Sequence, residues 1–398
     1  MLGGRDVLVV ASLFVLAGLA GLASCSLEDA EDAVRADASA GEVPLFEVDP
    51  LWPKPLPNGW ILGSAVGVSV DARDHVWIVH RTDTFDPRTE TTGLGDPPVA
   101  SCCTAAPPIL EFAPDGTLVG WWGGPDEAYD WPQSNHGITV DHMDNVWIGG
   151  NGVEDSHILK FARDGTFLMQ IGEPHMRTGS HDPENFWRVA KLSIDPRTNE
   201  VYVADGYGNK RVAVLDGDTG EMLRYWGAYG NPPDDAPLPP YDPSDPPAEQ
   251  FRSPLHCAEL SRDGLVYACD RASDRIQVFR TDGTFVREVF IEPQTLGSGS
   301  VWDIAFSPDP EQRFLYLADG LNRKIHVIER ETMTVLTKFG DGGRQPGQFY
   351  GVHSIATDSR GNIYTTETWE GKRLQKFVFR GYGEAPEDQG VVWPRPGG

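Results

Sequence analysis

One pattern recurs along the chain and constrains its fold more than any other feature. In the stretch 253–279, SPLHCAELSRDGLVYACDRASDRIQVF, three short β-prone runs are separated by a turn at 261–264 and a polar corner, and a fourth run follows at 284–290. Short runs rich in β-branched and aromatic residues between turn residues are typical of an antiparallel meander. The stretch is therefore predicted to form a four-stranded blade.

The same unit occurs six times, at intervals of roughly 50 to 70 residues, which is within the range of propeller repeats. The other copies begin at Gly67, His136, Lys191, Asp303 and His353. A sheet that cannot bury both faces alone packs on its neighbours, and closing the array into a ring leaves few exposed edges. The sequence therefore predicts an all-β protein, a six-bladed β-propeller. The last copy is one strand short, and the run Pro44–Val48 is predicted to supply that strand and close the ring.

The regions outside the repeats indicate export. Residues 1–24 hold an apolar stretch typical of a secretion signal, and Leu22-Ala23-Ser24-Cys25 fits a lipobox in which Cys25 becomes the lipidated N-terminus. An ordinary signal peptide or an uncleaved anchor is the alternative. Residues 25–43 are predicted to be a flexible acidic tether, 44–382 the propeller and 383–398 a disordered tail. We expect a cell-envelope lipoprotein in the outer membrane or periplasm, or alternatively a secreted protein.

Net charge excludes one class of partner. The formal charge is −26, and no basic stripe is present, whereas nucleic-acid binding needs a positively charged surface. We therefore expect no nucleic acid as a partner and no membrane contact except through lipid on Cys25. A monomer is expected.

Cysteines are compatible with an exported protein, in which disulfides can form. Cys257 and Cys269 flank a tight turn symmetrically, so they lie opposite each other in a regular hairpin, either bridged or as two buried thiols. Cys102 and Cys103 are adjacent, and the alternatives for them are a strained vicinal bridge or metal binding.

The main chemical signal appears when the six copies are aligned. Counting back five positions from the residue that closes each first strand gives Val66, His136, Ala190, His256, Trp302 and His353. The first strand of each propeller blade is innermost, so histidines in alternate blades lie about 120° apart around one channel. Three imidazoles at one height form a zinc site with an open position, which is typical of catalysis. The alternative is three unrelated core histidines, each satisfied by a hydrogen bond.

A second group of residues follows the second strands of three blades. Arg81, Tyr207 and Arg271 come after the runs VWIVH, VYVAD and VYACD. In an antiparallel meander, the end of strand two and the start of strand one lie on the same face, so these residues are predicted to face the histidines. An arginine can hold a carboxylate through paired hydrogen bonds, and a tyrosine near a metal can act as a base.

These motifs resemble a known family. The copies resemble NHL repeats, and their combination resembles the peptidyl-α-hydroxyglycine α-amidating lyases, which complete peptide C-terminal amidation. The resemblance rests on GVSVD…WIVHR, NHGITVD, DGYGNKR, PLHCAEL, ACDRASDRIQVF and GVHSIATD. It implies that His136, His256 and His353 bind zinc, that Tyr207 is the base, that Arg81 positions and polarises the substrate, and that Arg271 is a second site arginine. The implied reaction cleaves the N–Cα bond of a peptidyl-α-hydroxyglycine-like carbinolamide and releases an amide and glyoxylate.

The sequence departs from that family at one position. The family places an aspartate after its third zinc histidine as a ligand for structural calcium, and here Ser354 follows His353. Calcium is therefore doubtful, with the carbonyl groups of Val68 or Ile138 as remaining candidate ligands. Two other functions stay open: another metal-dependent propeller hydrolase or lactonase, and a non-catalytic NHL scaffold that binds a partner at the cell surface.

Overall fold

The computed structural model describes residues 41–94 and 97–394, whose regular secondary structure consists almost entirely of β-strands joined by turns and loops. The first strands, up to the end of the second blade, are β1 (Val43–Asp49), β2 (Trp60–Ile61), β3 (Ala65–Val70), β4 (Val76–His80), β5 (Thr104–Ala105), β6 (Ile109–Phe112), β7 (Leu118–Trp122), β8 (Asn135–Val140), β9 (Val146–Gly150), β10 (Ile158–Phe161) and β11 (Phe167–Ile171). The next are β12 (Lys191–Ile194), β13 (Glu200–Asp205), β14 (Arg211–Asp216), β15 (Met222–Trp226), β16 (Leu255–Leu260), β17 (Leu265–Asp270), β18 (Arg275–Arg280) and β19 (Phe285–Phe290). The last are β20 (Asp303–Phe306), β21 (Phe314–Asp319), β22 (Lys324–Glu329), β23 (Thr334–Phe339), β24 (Val352–Thr357), β25 (Ile363–Glu367) and β26 (Leu374–Gly383). Short 3-10 segments cover Thr92–Leu94, Ala228–Gly230 and Arg271–Ser273.

All of these strands except β2 and β5 form six four-stranded sheets, which confirms the predicted six-bladed propeller, and β2 and β5 pair with each other. Blades one to five are β3-β4-β6-β7, β8 to β11, β12 to β15, β16 to β19 and β20 to β23. Blade six is β24-β25-β26-β1, so the N-terminal strand supplies the missing fourth strand as predicted. β1 runs antiparallel to β26 from Val43 opposite Gly383 to Asp49 opposite Lys376.

Hydrophobic packing between neighbouring blades holds the ring together. The core divides into six clusters, and each cluster joins the facing surfaces of two adjacent blades. The second strands are covered on both faces, which is why runs such as VWIVH in β4 are buried throughout. Tryptophans of the second strands also hold the end of the first strand. The indole nitrogen of Trp77 donates to Asp71 at 3.0 Å, and that of Trp147 donates to Asp141 at 2.9 Å.

The C-terminal segment differs from the sequence prediction. Disorder was predicted from residue 383, but residues 384–394 lie against β1 and β23. The Val392 carbonyl accepts a hydrogen bond from the Val48 amide at 2.8 Å, and the Gly390 carbonyl accepts one from Gly340 at 2.7 Å. The segment is rich in Pro and Gly and forms no helix or strand of its own, but these backbone hydrogen bonds hold it in place. Residues 395–398 lie outside the described part of the chain.

Cysteine pairing follows two of the predicted alternatives. Cys257 and Cys269 form a disulfide within blade four, with Cα atoms 4.8 Å apart, and Cys102 and Cys103 form a vicinal disulfide. The predicted secretion signal, lipidated Cys25 and most of the tether fall in residues 1–40, outside the described residues. None of the helical segments within the described ranges is long and apolar enough to cross a membrane.

Candidate metal centre and active site

β-Bulges aim three histidines at the propeller axis. In four blades the pairing of the first two strands shifts register at the aligned ring position; the shifts fall between Ala65 and Gly67, Asn135 and Ile138, Leu255 and Ala258, and Val352 and Ser354. A bulge leaves residues unpaired and redirects their side chains, and bulges are common next to active sites. His136, His256 and His353 each lie within such a shift, so the backbone turns them into the channel.

The three imidazole rings meet on the axis. Their centroids are 5.1 Å apart for His136 and His256, and 4.8 Å for each of the other two pairs. Their candidate ligand nitrogen atoms all lie within 4.8 Å of one another. The side chains are 2 to 3% exposed. The predicted convergence of histidines from blades two, four and six is therefore present in the structure.

Backbone carbonyl groups from the intervening blades orient these rings. Nδ1 of His136 lies 2.7 Å from the carbonyl oxygen of Ala190, and Nδ1 of His256 bonds to the carbonyl of Trp302. The backbone of Val66 takes the equivalent position beside His353, but Nδ1 of His353 forms no hydrogen bond with a described residue. These contacts favour a proton on Nδ1 and leave the Nε2 lone pair free to bind a metal.

The surroundings keep the three rings neutral. Burial holds the pKa of His136, His256 and His353 well below its ordinary value. The positive charge of Arg271 adds to this effect at all three histidines, and that of Arg81 adds to it at His136 and His353. A neutral imidazole is the form that binds a metal, because the ligand nitrogen must carry a lone pair.

Tyr207 lies directly over the histidines. It follows β13, and its hydroxyl oxygen is 3.1 Å from Nε2 of both His136 and His256. Arg271, which follows β17, donates to the same hydroxyl from Nη1 at 3.1 Å. The guanidinium of Arg271 also stacks 4.5 Å from the ring of Trp302. Two of the predicted site residues are thus in direct contact with the histidine cluster or with each other.

Arg81 lies on the same face of the propeller as Tyr207, and its hydrogen-bond partners are neutral. Its Nε donates to the Asn135 carbonyl at 3.1 Å, and its Nη2 donates to the Asn151 side chain at 2.6 Å. Arg188, which was not predicted, donates to the Asn151 carbonyl at 2.7 Å and lies 5.6 Å from the Tyr207 ring centre. Asn151 was also missed, although it occupies the same register position in blade two as Arg81 in blade one. Arg188 lies in a loop before β12 and had no repeat signal.

The donor set fits a zinc ion. Zinc takes imidazole nitrogen at about 2.0–2.1 Å in tetrahedral geometry, which places ligand nitrogen atoms about 3.4 Å apart, within the limit found for this cluster. Three ligands leave a fourth position open, and the open side faces Tyr207. The chain could therefore hold a catalytic zinc through His136, His256 and His353.

A calcium ion fits this chain poorly. Below the histidines, the ammonium group of Lys191 lies between Asp303 and Glu259, and Ser354 donates its hydroxyl to Asp303 at 2.6 Å. Calcium requires six to eight oxygen ligands. Here the carboxylate oxygen atoms already contact a cation. The central channel of the propeller, here called the tunnel, opens at the end opposite Tyr207 into a cavity of about 380 Å³. Lys191 and Glu259 contribute to the lining of this cavity.

The remaining histidines are not part of the centre. His80, His157 and His326 are buried in their own blades and bond to Pro107, Asp130 and Asp319, respectively. His80 and His326 occupy strand positions in β4 and β22, and His157 lies just before β10.

No protein-family model matches the sequence. It is 27% identical over 359 residues to peptidyl-alpha-hydroxyglycine alpha-amidating lyase 1 of Drosophila melanogaster, covering 83% of this chain and 59% of that protein. It is 26% identical over 362 residues to peptidylglycine alpha-amidating monooxygenase of Rattus norvegicus, covering 84% of this chain and 33% of that protein. With NHL repeat-containing protein 3 of Mus musculus it shares 25% identity over 305 residues, covering 74% and 70%.

In sequence, the chain resembles the α-amidating lyases. This confirms the resemblance predicted from the motifs. The chain spans 59% and 33% of the length of the two amidating proteins. Among solved structures, a streptogramin B lyase superposes with a TM-score of 0.49 at 12% identity, covering 87% of this chain and all 100% of that chain. Similarity at that level carries no argument about activity.

Proposed function

We propose that this chain is a zinc-dependent lyase that cleaves the N–Cα bond of a peptidyl-α-hydroxyglycine-like carbinolamide and releases an amide and glyoxylate. The observation that carries the proposal is the convergence of His136, His256 and His353 beneath the hydroxyl of Tyr207. Sequence similarity to lyase 1 of Drosophila melanogaster supports the same reaction class.

Zinc, when bound by the three histidines, would act as a Lewis acid that polarises the substrate hydroxyl. The residues around it must exclude water and keep the imidazoles fixed. The 2 to 3% exposure of the three rings excludes water, and the carbonyl partners on Nδ1 hold the rings of His136 and His256.

We assign the proton transfer to Tyr207. As a phenolate it accepts the proton of the substrate hydroxyl, and the O–H electrons form the aldehyde C=O as the Cα–N bond breaks. The bonding pair leaves with the amide nitrogen, which takes the proton back from Tyr207, so the products are an amide and glyoxylate and the phenolate is restored. Arg271, bonded to the same oxygen, favours negative charge there.

We propose that Arg81 and Arg188 bind the substrate carboxylate. Their hydrogen-bond partners are neutral oxygen atoms of Asn135 and Asn151. Within the described ranges neither arginine forms an ion pair, although the whole chain carries a charge of −26. Burial lowers the pKa of Arg81, and the site leaves its charge available for an incoming anion.

We extend the proposal to location and assembly. Export as a cell-envelope lipoprotein anchored through Cys25, or secretion, agrees with two disulfides, which persist in oxidising compartments. A monomer agrees with the closure of all six blades within one chain. Metabolic labelling with a fatty acid, compared between wild type and Cys25→Ala, tests the anchor.

A binding scaffold is the second candidate. NHL repeat-containing protein 3 of Mus musculus aligns over 70% of its own length, more than either amidating protein does. In that case the histidines would bind no substrate, and partner binding would survive removal of the metal.

The test combines metal analysis with product analysis. Zinc-saturated protein is incubated with a small N-acyl-α-hydroxyglycine, and the amide and glyoxylate are measured against buffer and against His256→Ala. We expect equal amounts of the two products and one zinc per chain. Fully zinc-loaded protein that releases glyoxylate no faster than buffer would refute the proposal, as would zinc-free protein of full activity.

A further inference from the structure

A lysine ammonium group occupies the tunnel below the histidines. Lys191 opens β12 in blade three, and its Nζ lies 2.9 and 3.0 Å from the two carboxylate oxygen atoms of Asp303 in blade five. The same Nζ lies 2.8 Å from Oε1 of Glu259 in blade four. A single cation therefore connects the innermost strands of three blades.

Hydrogen bonds extend this contact to two more blades. The hydroxyl of Ser354 and the amide of Ile355, both in blade six, donate to Oδ2 of Asp303 at 2.6 and 3.1 Å. The amide of Val68 in blade one donates to the Ser354 hydroxyl at 3.3 Å. The network thus spans five of the six blades, and Lys191 is its central positive charge.

The cluster of Lys191, Glu259 and Asp303 is buried, and its lysine remains charged. The side chains of Lys191, Glu259 and Asp303 are 12, 17 and 2% exposed. Burial alone would lower the pKa of Lys191, but the charges of Asp303 and Glu259 outweigh it and raise that pKa above its ordinary value. Two carboxylates held this close in a buried site need a compensating cation.

We infer that the ammonium of Lys191 is the structural cation of this tunnel and stands in place of the calcium ion that the family resemblance implies. Three observations support the substitution. Ser354 offers a hydroxyl where a calcium ligand would be a carboxylate, Asp303 already contacts the ammonium through both oxygen atoms, and the fixed positive charge repels a divalent ion. The inference concerns the stability of the ring and does not depend on the proposed reaction.

The decisive experiment uses the wild-type chain. The protein is stripped of metal by dialysis against a chelator, and its melting temperature is measured alone, with zinc, and with calcium at about 5 mM, above the dissociation constants of weak extracellular calcium sites. We expect calcium to leave the melting temperature within about 0.5 °C, whereas a structural calcium bound with such a dissociation constant would raise it by roughly 1.5 °C or more. A calcium-dependent rise of that size overturns the inference. The zinc sample reports separately on the histidines.

A pair of variants tests the ammonium itself. Lys191→Met leaves Asp303 and Glu259 without a counter-charge and is expected to lower the melting temperature by at least about 5 °C. Lys54→Met removes an exposed lysine that pairs with Asp115 and is the matched control, expected to match wild type. Lys191→Met with wild-type stability overturns the inference. The calcium experiment decides the question even where Lys191→Met yields no folded protein.

Discussion

Arg271 donates a 3.1 Å hydrogen bond from Nη1 to the hydroxyl oxygen of Tyr207. The two residues follow the second strands of adjacent blades, three and four, and this bond directs a positive charge at the atom proposed to accept the substrate proton. Since the same oxygen lies 3.1 Å from two imidazole nitrogen atoms, its position is fixed by three side chains.

Replacing Tyr207 with Phe removes this oxygen and little else. We expect kcat to fall by about 10²- to 10⁴-fold, the usual contribution of a general base, with zinc content unchanged. Steady-state glyoxylate release and elemental analysis measure the two quantities. Tyr225→Phe, on a side chain that bonds to His181 away from the site, is the control and should retain full activity. An unchanged kcat in Tyr207→Phe would exclude Tyr207 as the base.

Arg188 is expected to affect substrate binding more than turnover. Arg188→Gln removes a cation near the site, and we expect KM to rise roughly 10-fold, as for the loss of one charge-assisted hydrogen bond, with kcat little changed. Arg188→Lys should restore part of the loss because it restores the charge. The measurement is the separate determination of kcat and KM. A fall in kcat at constant KM would contradict a binding role.

Metal content should depend equally on the three histidines. We expect His136→Ala, His256→Ala and His353→Ala each to reduce zinc from about one per chain to near zero after dialysis, because two imidazoles do not hold zinc tightly. His181→Ala, at an exposed side chain, is the control. If one of the three variants keeps its zinc and the others lose it, the symmetric site is wrong.

His80 should make stability depend on pH. Burial lowers the pKa of His80 from the ordinary 6.5 to about 4, and this effect outweighs the Pro107 carbonyl beside Nε2, which raises the pKa. The unfolded chain binds this proton at higher pH than the folded chain does. The contribution of His80 to the free energy of unfolding is therefore complete above pH 6.5. It decreases as the pH falls towards 4, by up to about 3 kcal/mol. Urea unfolding of wild type and His80→Asn at several pH values measures the difference, and equal slopes would rule out His80 as the cause.

Ring closure depends on Phe46 in β1. Its ring is 5.5 Å from those of Tyr316 and Phe339 and 6.1 Å from that of Phe379. We expect Phe46→Ala to lower the free energy of unfolding by about 3–5 kcal/mol, the usual cost of removing a buried aromatic side chain. Leu51→Ala, at an 83% exposed position, should have little effect. Equal stability of the two variants would mean that β1 does not hold the ring.

The fold and the histidines could be predicted because a propeller repeats its geometry in every blade. A residue that recurs at one repeat position must recur at one height on the axis, so alignment of the copies was sufficient to find His136, His256 and His353. Asn151 could have been found by the same counting. Arg188 could not, because it lies in a loop whose path is set by tertiary contacts.

The contacts of the charged residues inside the tunnel were harder to predict from the sequence. Lys191, Glu259 and Asp303 lie far apart in sequence, and each looks like a solvent-exposed charge on a strand until the ring brings their strands together. The C-terminal segment was mispredicted for a related reason. Its Pro- and Gly-rich composition does not reveal that it accepts backbone hydrogen bonds from Val48 and Gly340.

The pairing of Val43 with Gly383 has a consequence for chain order. Because the first and last strands are neighbours in one sheet, the ring has no structural beginning. A circular permutant that starts in a loop between two other blades, with the present ends connected, should assemble the same sheets and bring the same histidines to the axis.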